Sequence, residues 1–282
     1  DDGANDGAEL ADGTDPLDSL SPLKNGALVL DDDSDYAEVE LGPVMTGAMT
    51  VEAWIKPDAG IDNGIILEKA RNIDADNDFV LELVDGDVQF TYRTVDGAMD
   101  TNAVRLDTNL SSDYGWVHVA AVLDVPQGAD GTLTVYAASP STGFEWRKQV
   151  NRHGAPDGSA GVLRMGSGTA DASLVGLVDE VRIWSSVRSL EELQNNRDMT
   201  LSPDSDLVGY YRFDDFGTTA EDFVPDHRFD RAGAIIDDNS SNSVDYAAVM
   251  NGAAVAQQGT GQLGDPTYDY LTADDDDDGL PD

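Results

Sequence analysis

The chain predicts an all-β fold, a two-sheet antiparallel jelly-roll sandwich with one short helix, and three observations carry that prediction. Short stretches rich in Val, Ile, Leu and aromatic residues recur between clusters of Gly, Asp, Asn, Ser and Pro. That is the spacing of a sandwich rather than of alternating strands and helices. Asp far outnumbers Glu, and Asp favours turns where Glu would favour helices. Just one segment carries a clear helix start.

In order, the strands are expected at Ala27 to Leu30, Ala37 to Leu41, Thr50 to Lys56, Ile65 to Lys69, Phe79 to Val84 and Val88 to Arg93. They continue at Val117 to Asp124, Leu133 to Ala138, Val162 to Met165, Leu174 to Trp184 and Leu207 to Phe213. The helix follows Ser189-Leu190-Glu191-Glu192, an S-x-x-E capping box in which the Ser189 hydroxyl caps a first-turn amide and Glu192 reaches back. It is expected to end near Arg197. Residues 220 to 246 show no strand period and carry Pro225, Asp237-Asp238 and a Ser/Asn run, so they are read as a long loop. A strand-like stretch resumes through Val249 and Val255. Residues 1 to 24 read as an acidic linker or arm, 25 to 257 as the domain, and 258 to 282 as a second linker ending in an acidic run.

Charge narrows the function. The 282 residues hold 16 Lys and Arg against 56 Asp and Glu, a net charge of −40. A molecule with that field repels nucleic acid, so nucleic acid is excluded as a partner and cations are favoured. Self-repulsion of this size asks for screening by salt or for tightly held divalent ions. The longest nearly apolar stretch, Trp116 to Leu123, is interrupted by His118 and falls short of the roughly 18 residues a bilayer crossing needs. No membrane insertion is expected. The sequence opens Asp1-Asp2-Gly3, without the basic and apolar segments of a signal peptide, so an exported chain would be in its processed form. There is no cysteine, hence neither disulfide nor thiolate chemistry.

The stretches ALVLDDDSDYAEVEL, MTVEAWIKPD, WVHVAAVLD with GTLTVYAA, VLRMGSGTADASLVGLVDEVRIWSSVRSLEEL and LVGYYRFDD, spread in order over residues 27 to 215, resemble the laminin-G-like, concanavalin-A-like jelly-roll family. A weaker MNGAA lies near Met250. The resemblance implies a sandwich, commonly with calcium, that binds glycans or other cell-surface molecules within a secreted, extracellular chain. Two features depart from the family: Asp31-Asp32 stands where an Asp-Gly pair is usual, and the loop over 220 to 246 replaces a brief return.

By parity along a strand from Leu174 to Trp184, Asp179 falls on one face with Val175, Leu177, Val181 and Ile183. A carboxylate on an apolar face needs a partner, and a cation supplies one. The family resemblance adds Asp31, Asp33 and Asp35 as calcium ligands beside Asp179. Alternatively the strand bends at Asp179 and its carboxylate meets Arg182 or solvent. At the other end, Asp274, Asp276, Asp278, Gly279, Leu280 and Asp282 fit positions 1, 3, 5, 6, 7 and 9 of a D-x-D-x-D-G calcium loop, with Leu280 giving its carbonyl. This run resembles a thrombospondin type-3 acidic repeat. Position 12 falls beyond Asp282, which is expected of a fragment of a longer polypeptide or of a solvated acidic tail.

Trp146 and Arg147, with Lys148, Arg152 and His153, form the one local basic patch. Trp146, Arg147 and Arg152 are the candidate ligand-binding residues, since an exposed Trp beside Arg stacks on a sugar ring. A hairpin that buries Trp146 would give the same letters. Glu52 and Arg182 read as a structural pair across strands. His118, His153 and His227 are scattered. Asn109-Leu110-Ser111 and Asn239-Ser240-Ser241 are glycosylation sequons by form.

Enzyme signatures are missing: no Glu is followed two residues later by Asp, and there is neither G-x-S-x-G nor H-E-x-x-H. The G-x-G-x-x-G at Gly259 to Gly264 precedes Asp265-Pro266 and not a helix, so it is read as linker. The sequence therefore predicts a non-catalytic, calcium-binding recognition module for glycan or cell-surface protein. The alternative is a structural subunit that self-associates through its terminal arms into a filament or array.

Overall fold

The computed structural model describes residues 26–31, 35–39, 43–71, 77–94, 103–110, 114–125, 130–168, 173–199, 201, 205–213, 219–220, 227–229, 235–237, 248–251 and 254–257. The strands in chain order are β1 (Gly26–Leu30), β2 (Tyr36–Val39), β3 (Met49–Pro57), β4 (Gly64–Ala70), β5 (Asn77–Val84), β6 (Asp87–Tyr92), β7 (Val104–Leu106), β8 (Val117–Asp124) and β9 (Asp130–Ser139). There follow β10 (Phe144–His153), β11 (Leu163–Met165), β12 (Gly176–Trp184), the helix α1 (Leu190–Asn196) and β13 (Leu207–Tyr211). The last are β14 (Thr219–Ala220), β15 (His227–Phe229), β16 (Ile235–Asp237), β17 (Ala248–Asn251) and β18 (Ala254–Gln257).

They form the two antiparallel sheets that the strand spacing predicts. The first runs β10-β9-β8-β3-β12-β1-β18, with β13 continuing along β12 beyond the end of β1. The second runs β14-β17-β2-β11-β4-β5-β6-β7, and β15 and β16 pair as a separate hairpin within the segment read as a loop. Alternate residues of the facing strands, among them Val51, Ile66, Phe90, Val119, Val135 and Ile183, make one continuous core between the sheets. Burying aliphatic and aromatic side chains on that scale, at about 1.5–3 kcal/mol each, holds a cysteine-free domain together.

The central strand β12 departs from the simple alternation used to place Asp179. Its register against β3 pairs Asp179 with Trp54 and then Arg182 with Glu52, so Glu180 and Val181 together face the single residue Ala53. That is a β-bulge, and Glu180 takes a left-handed φ of 50° within it. The bulge reverses the faces. Val178, Val181 and Ile183 point into the core, whereas Leu177 packs outside with Ala27, Trp54 and Trp116. Asp179, of the same parity as Leu177 and opposite Trp54, is therefore not among Val181 and Ile183 as parity predicts. One inserted residue was enough to move it.

The helix lies on the outer face of the first sheet. Ser189 Oγ accepts from the Glu192 amide at 3.2 Å while Glu192 Oε2 accepts from the Ser189 amide at 2.7 Å, so the predicted capping box is formed. Such a cap contributes about 1 kcal/mol. Leu193, the buried residue of this short helix, seats on Ala120, Val122, Tyr136 and Ala138. Among the described residues, no helix is long and apolar enough to cross a membrane.

Candidate functional site

The β9–β10 hairpin ends in Pro140-Ser141-Thr142-Gly143, where Gly143 adopts φ 73°, a conformation that suits glycine and closes the turn with its amide on Ser139 O at 2.8 Å. The turn is bolted to the preceding connection: Ser139 Oγ and Ser141 Oγ both donate to the Tyr114 carbonyl, at 2.8 and 2.9 Å. This fixes Tyr114 beside the first residues of β10. Phe144 and Trp146, two residues apart on one face, stack at 5.7 Å with an interplanar angle of 27°. Tyr114 stands edge-on to both, at 5.9 and 5.4 Å, each at 83°.

The trio has a rigid base and an open top. Trp146 and Tyr114 pack partly against the core, while Phe144 is 55% exposed. Phe144, open to solvent on an edge strand and backed by the half-buried Trp146 and Tyr114, presents an apolar ring that can meet the CH-rich face of a sugar ring.

Register corrects the predicted basic patch around it. Trp146 stands opposite Ala137 of the core, whereas Arg147 stands opposite Tyr136 of the outer cluster, so the two point to opposite faces. Arg147 donates to Gln149 Oε1 at 3.1 Å. Arg152 shares the Trp146 face but lies six residues along the strand, about 20 Å away. It donates to Asn151 O at 3.0 Å and Ala103 O at 2.9 Å. Trp146 joins Tyr114 and Phe144 instead. Phe144 was legible from its i, i+2 spacing to Trp146 after a Pro-Ser-Thr-Gly turn; nothing local pointed to Tyr114.

The predicted calcium ligands separate. Asp31 donates its amide to Asp35 Oδ2 at 3.1 Å, so these two belong to one turn, and Asp35 is buried. β1 pairs with β12 through Leu28↔Val178 and Leu30↔Gly176, which puts Asp179 level with Ala27. Asp31 is thus four residues, about 13 Å, further along, too far to share an ion with Asp179. Asp179 is 4% exposed and its Oδ1 accepts from the Glu180 amide at 2.7 Å inside the bulge. Among the described residues, no three His, Asp or Glu side chains are grouped to hold a metal. Asp33, Asp274, Asp276, Asp278, Leu280 and Asp282 lie outside the described residues.

The richest titratable cluster is closed. Under α1, buried Glu52 accepts from His118 Nε2 at 2.9 Å and from Trp184 Nε1 at 2.8 Å. Burial alone would raise the Glu52 carboxyl, but the His118 bond, the Arg182 charge and the Trp184 bond hold it below the usual carboxylate range. Arg182, opposite Glu52, binds Glu180 and ties down the helix exit through Asn196 O at 2.9 Å and Met199 O at 2.7 Å. Tyr210 donates to Glu180 Oε2 at 2.6 Å, and burial followed by the Glu180 charge pushes its hydroxyl well up. Glu52 and Arg182 are structural, as their position on central strands predicts. The described carboxylates of this cluster, Glu52 and Glu180, are each bonded to neighbouring side chains.

Two further acidic or basic groups are likewise enclosed. Glu68 is 1% exposed and accepts from Asn77 Nδ2 at 3.2 Å, under Gly168, where a Cβ would come within 2.6 Å of Glu68 Oε2. Lys69 is fully buried, donates to Ser159 O at 3.0 Å and faces Asp78 at 3.7 Å; burial pushes its ammonium down to about 8.

Residues 31–194, more than half of the chain, match the family described as the concanavalin A-like lectin/glucanases superfamily, and the chain belongs to it. No curated protein matches. Among solved structures, the chain is similar to a candidate carbohydrate binding protein from Bacteroides ovatus, with 18% identity, a TM-score of 0.55, and coverage of 86% of this chain and 62% of that one. The chain therefore spans less than two thirds of that protein. A heptameric SAP-like pentraxin from Limulus polyphemus matches with 16% identity and a TM-score of 0.43, over 60% of this chain and 79% of that one. The LG1-3 region of the laminin alpha2 chain matches with 17% identity and a TM-score of 0.46, over 58% and 32%.

Proposed function

We propose that this chain is a non-catalytic glycan-recognition module acting outside the cell, and that Tyr114, Phe144 and Trp146 form its sugar platform. The observation that carries the reading is the exposed Phe144 ring stacked on the half-buried Trp146, beside a Tyr114 fixed by two hydroxyl-to-carbonyl bonds. A large apolar ring left open to water and held in place by two half-buried aromatic neighbours suits a binding surface. The carbohydrate-binding designation of the Bacteroides ovatus protein, whose fold this chain shares, supports the same class of ligand. The enclosure of Glu52, Glu68 and Glu180 supports binding without catalysis.

Calcium belongs to this reading through Asp31, Asp33 and Asp35 and through the run from Asp274 to Asp282, while Asp179 lies in the bulge. In an anionic molecule, ions at those carboxylates would relieve repulsion and supply the charge that six to eight oxygens require. A glycan array read with calcium and again with chelator tests the proposal. Binding to a defined set of glycans is expected in calcium, and uniform silence in both conditions would contradict it.

A further inference from the structure

We propose that the glycan held at Tyr114, Phe144 and Trp146 is an acidic one, bearing a carboxylate or a sulfate, and that Lys148 receives its charge. This deepens the glycan reading and rests on it. Phe144, Trp146 and Lys148 alternate along β10 and so share one face, on which the next residue, Val150, packs like Trp146 against the core. Lys148 follows Trp146 by two residues, about 7 Å along the strand, and is exposed.

The pairing of cations sets this strand apart. Among the residues whose side chains are described, every Lys and Arg outside β10 except Lys56 lies within 4.0 Å of an Asp or Glu oxygen. The three on β10 meet uncharged oxygens instead: Gln149 Oε1 for Arg147, Arg105 O at 2.7 Å for Lys148, and Asn151 O and Ala103 O for Arg152. With 56 Asp and Glu against 16 Lys and Arg, the chain has carboxylates enough to match each cation. Among the described residues, these three go unmatched, on the strand that carries the exposed ring.

The described acids nearby are already held. Arg105, whose carbonyl accepts from Lys148, turns its guanidinium to Asp87 at 2.7 Å and Asp85 at 3.3 Å. Glu145 lies on the other face of β10, where it accepts from Tyr136 Oη and Gln194 Nε2, both at 3.2 Å. An ammonium has three donors, and the Arg105 carbonyl takes one, which fixes the group at the seam between β10 and β7 and leaves donors for an anion. Arg147 points to the opposite face and Arg152 lies about 13 Å beyond Lys148, so Lys148 is the cation placed to meet a sugar resting against the rings. The net charge does not forbid such a ligand. At physiological ionic strength the Debye length is about 8 Å, so a single acidic sugar responds mainly to the charges beside it, whereas a long polyanion meets the whole field.

A glycan array that carries carboxylated and sulfated glycans beside their carboxyl-reduced and desulfated counterparts tests this, followed by calorimetric titration of the strongest acidic glycan and its neutral counterpart. The acidic member should bind about fivefold tighter, the upper scale of one exposed ion pair, with an advantage that shrinks as salt is raised. A lead taken by carboxylates or by sulfates supports the proposal and identifies the anion. Lys148→Gln should abolish the advantage and leave affinity for the neutral member unchanged. Lys56→Gln removes the same charge from β3, three strands away from β10, and should change neither affinity. Neutral members that bind as tightly as acidic ones, an acidic preference that survives Lys148→Gln, or an equal loss in the Lys56→Gln protein would each overturn the proposal; in those cases neutral-glycan binding lost on Phe144→Ala would still support the sugar platform. Silence of the whole array would overturn both.

Discussion

The outer face under α1 and the open end of the β9–β10 hairpin belong to the same sheet, yet they are built on opposite logic. Under the helix, Glu52, His118, Arg182, Trp184, Glu180 and Tyr210 form a largely buried polar network, each bonded to another member or to a helix-exit carbonyl, with His118 Nδ1 and Arg182 Nε left without a hydrogen bond. At the hairpin, Phe144 is apolar and exposed, stacked on a Trp146 that packs partly against the core. The first region resembles an active site in composition and is shut. The second presents an apolar ring to solvent, which is what the proposed reading asks of a ligand surface. On the proposed reading, accessibility, more than the density of charged residues, separates scaffold from site.

The comparison is broken or sharpened first at Arg182. Arg182→Ala leaves Glu180 only the more distant Arg212 as an arginine partner and strips Asn196 O and Met199 O of their donor, a loss of about 3–5 kcal/mol for a buried pair. A fall in Tm of about 10 °C or more is expected by calorimetry, with glycan affinity retained below the transition. Loss of binding without loss of stability would move the site under the helix.

A smaller effect is expected at the sandwich end closed by Lys69. Its ammonium sits at about 8 in the folded protein against an ordinary 10.5, so above pH 8 the unfolded chain binds the extra proton. Stability should therefore rise with pH from about 8 toward 9.5, below the range in which tyrosines ionise. Urea titrations across that window check it. Lys69→Met should flatten the rise, and an unchanged slope would assign it to another group.

Much of the fold was legible because central strands advertise themselves. Val51 to Ile55, Val117 to Leu123 and Leu207 to Tyr211 are unbroken enough to read as strands, and the Ser189 to Glu192 capping box located the helix. What the sequence concealed was local and geometric. The bulge at Glu180 adds one residue to β12 and turns Asp179 to the other face, a change that no periodicity reports. The basic letters around Trp146 appear contiguous in sequence, but pleating sends Arg147 to the opposite face and Arg152 far along the edge. Tyr114 reaches the platform through hydroxyl bonds to its backbone carbonyl from a turn 25 residues away, which leaves no signature in its own neighbourhood.

The most direct test of the central claim is a calorimetric titration of the strongest array glycan against the wild-type chain and against Phe144→Ala and Trp146→Ala. Removing one ring of the pair should weaken Kd by about 5- to 150-fold, the ~1–3 kcal/mol scale of aromatic stacking, with Tm nearly unchanged for the exposed Phe144. Equal affinity in all three proteins would show that the ligand binds elsewhere and would contradict the account.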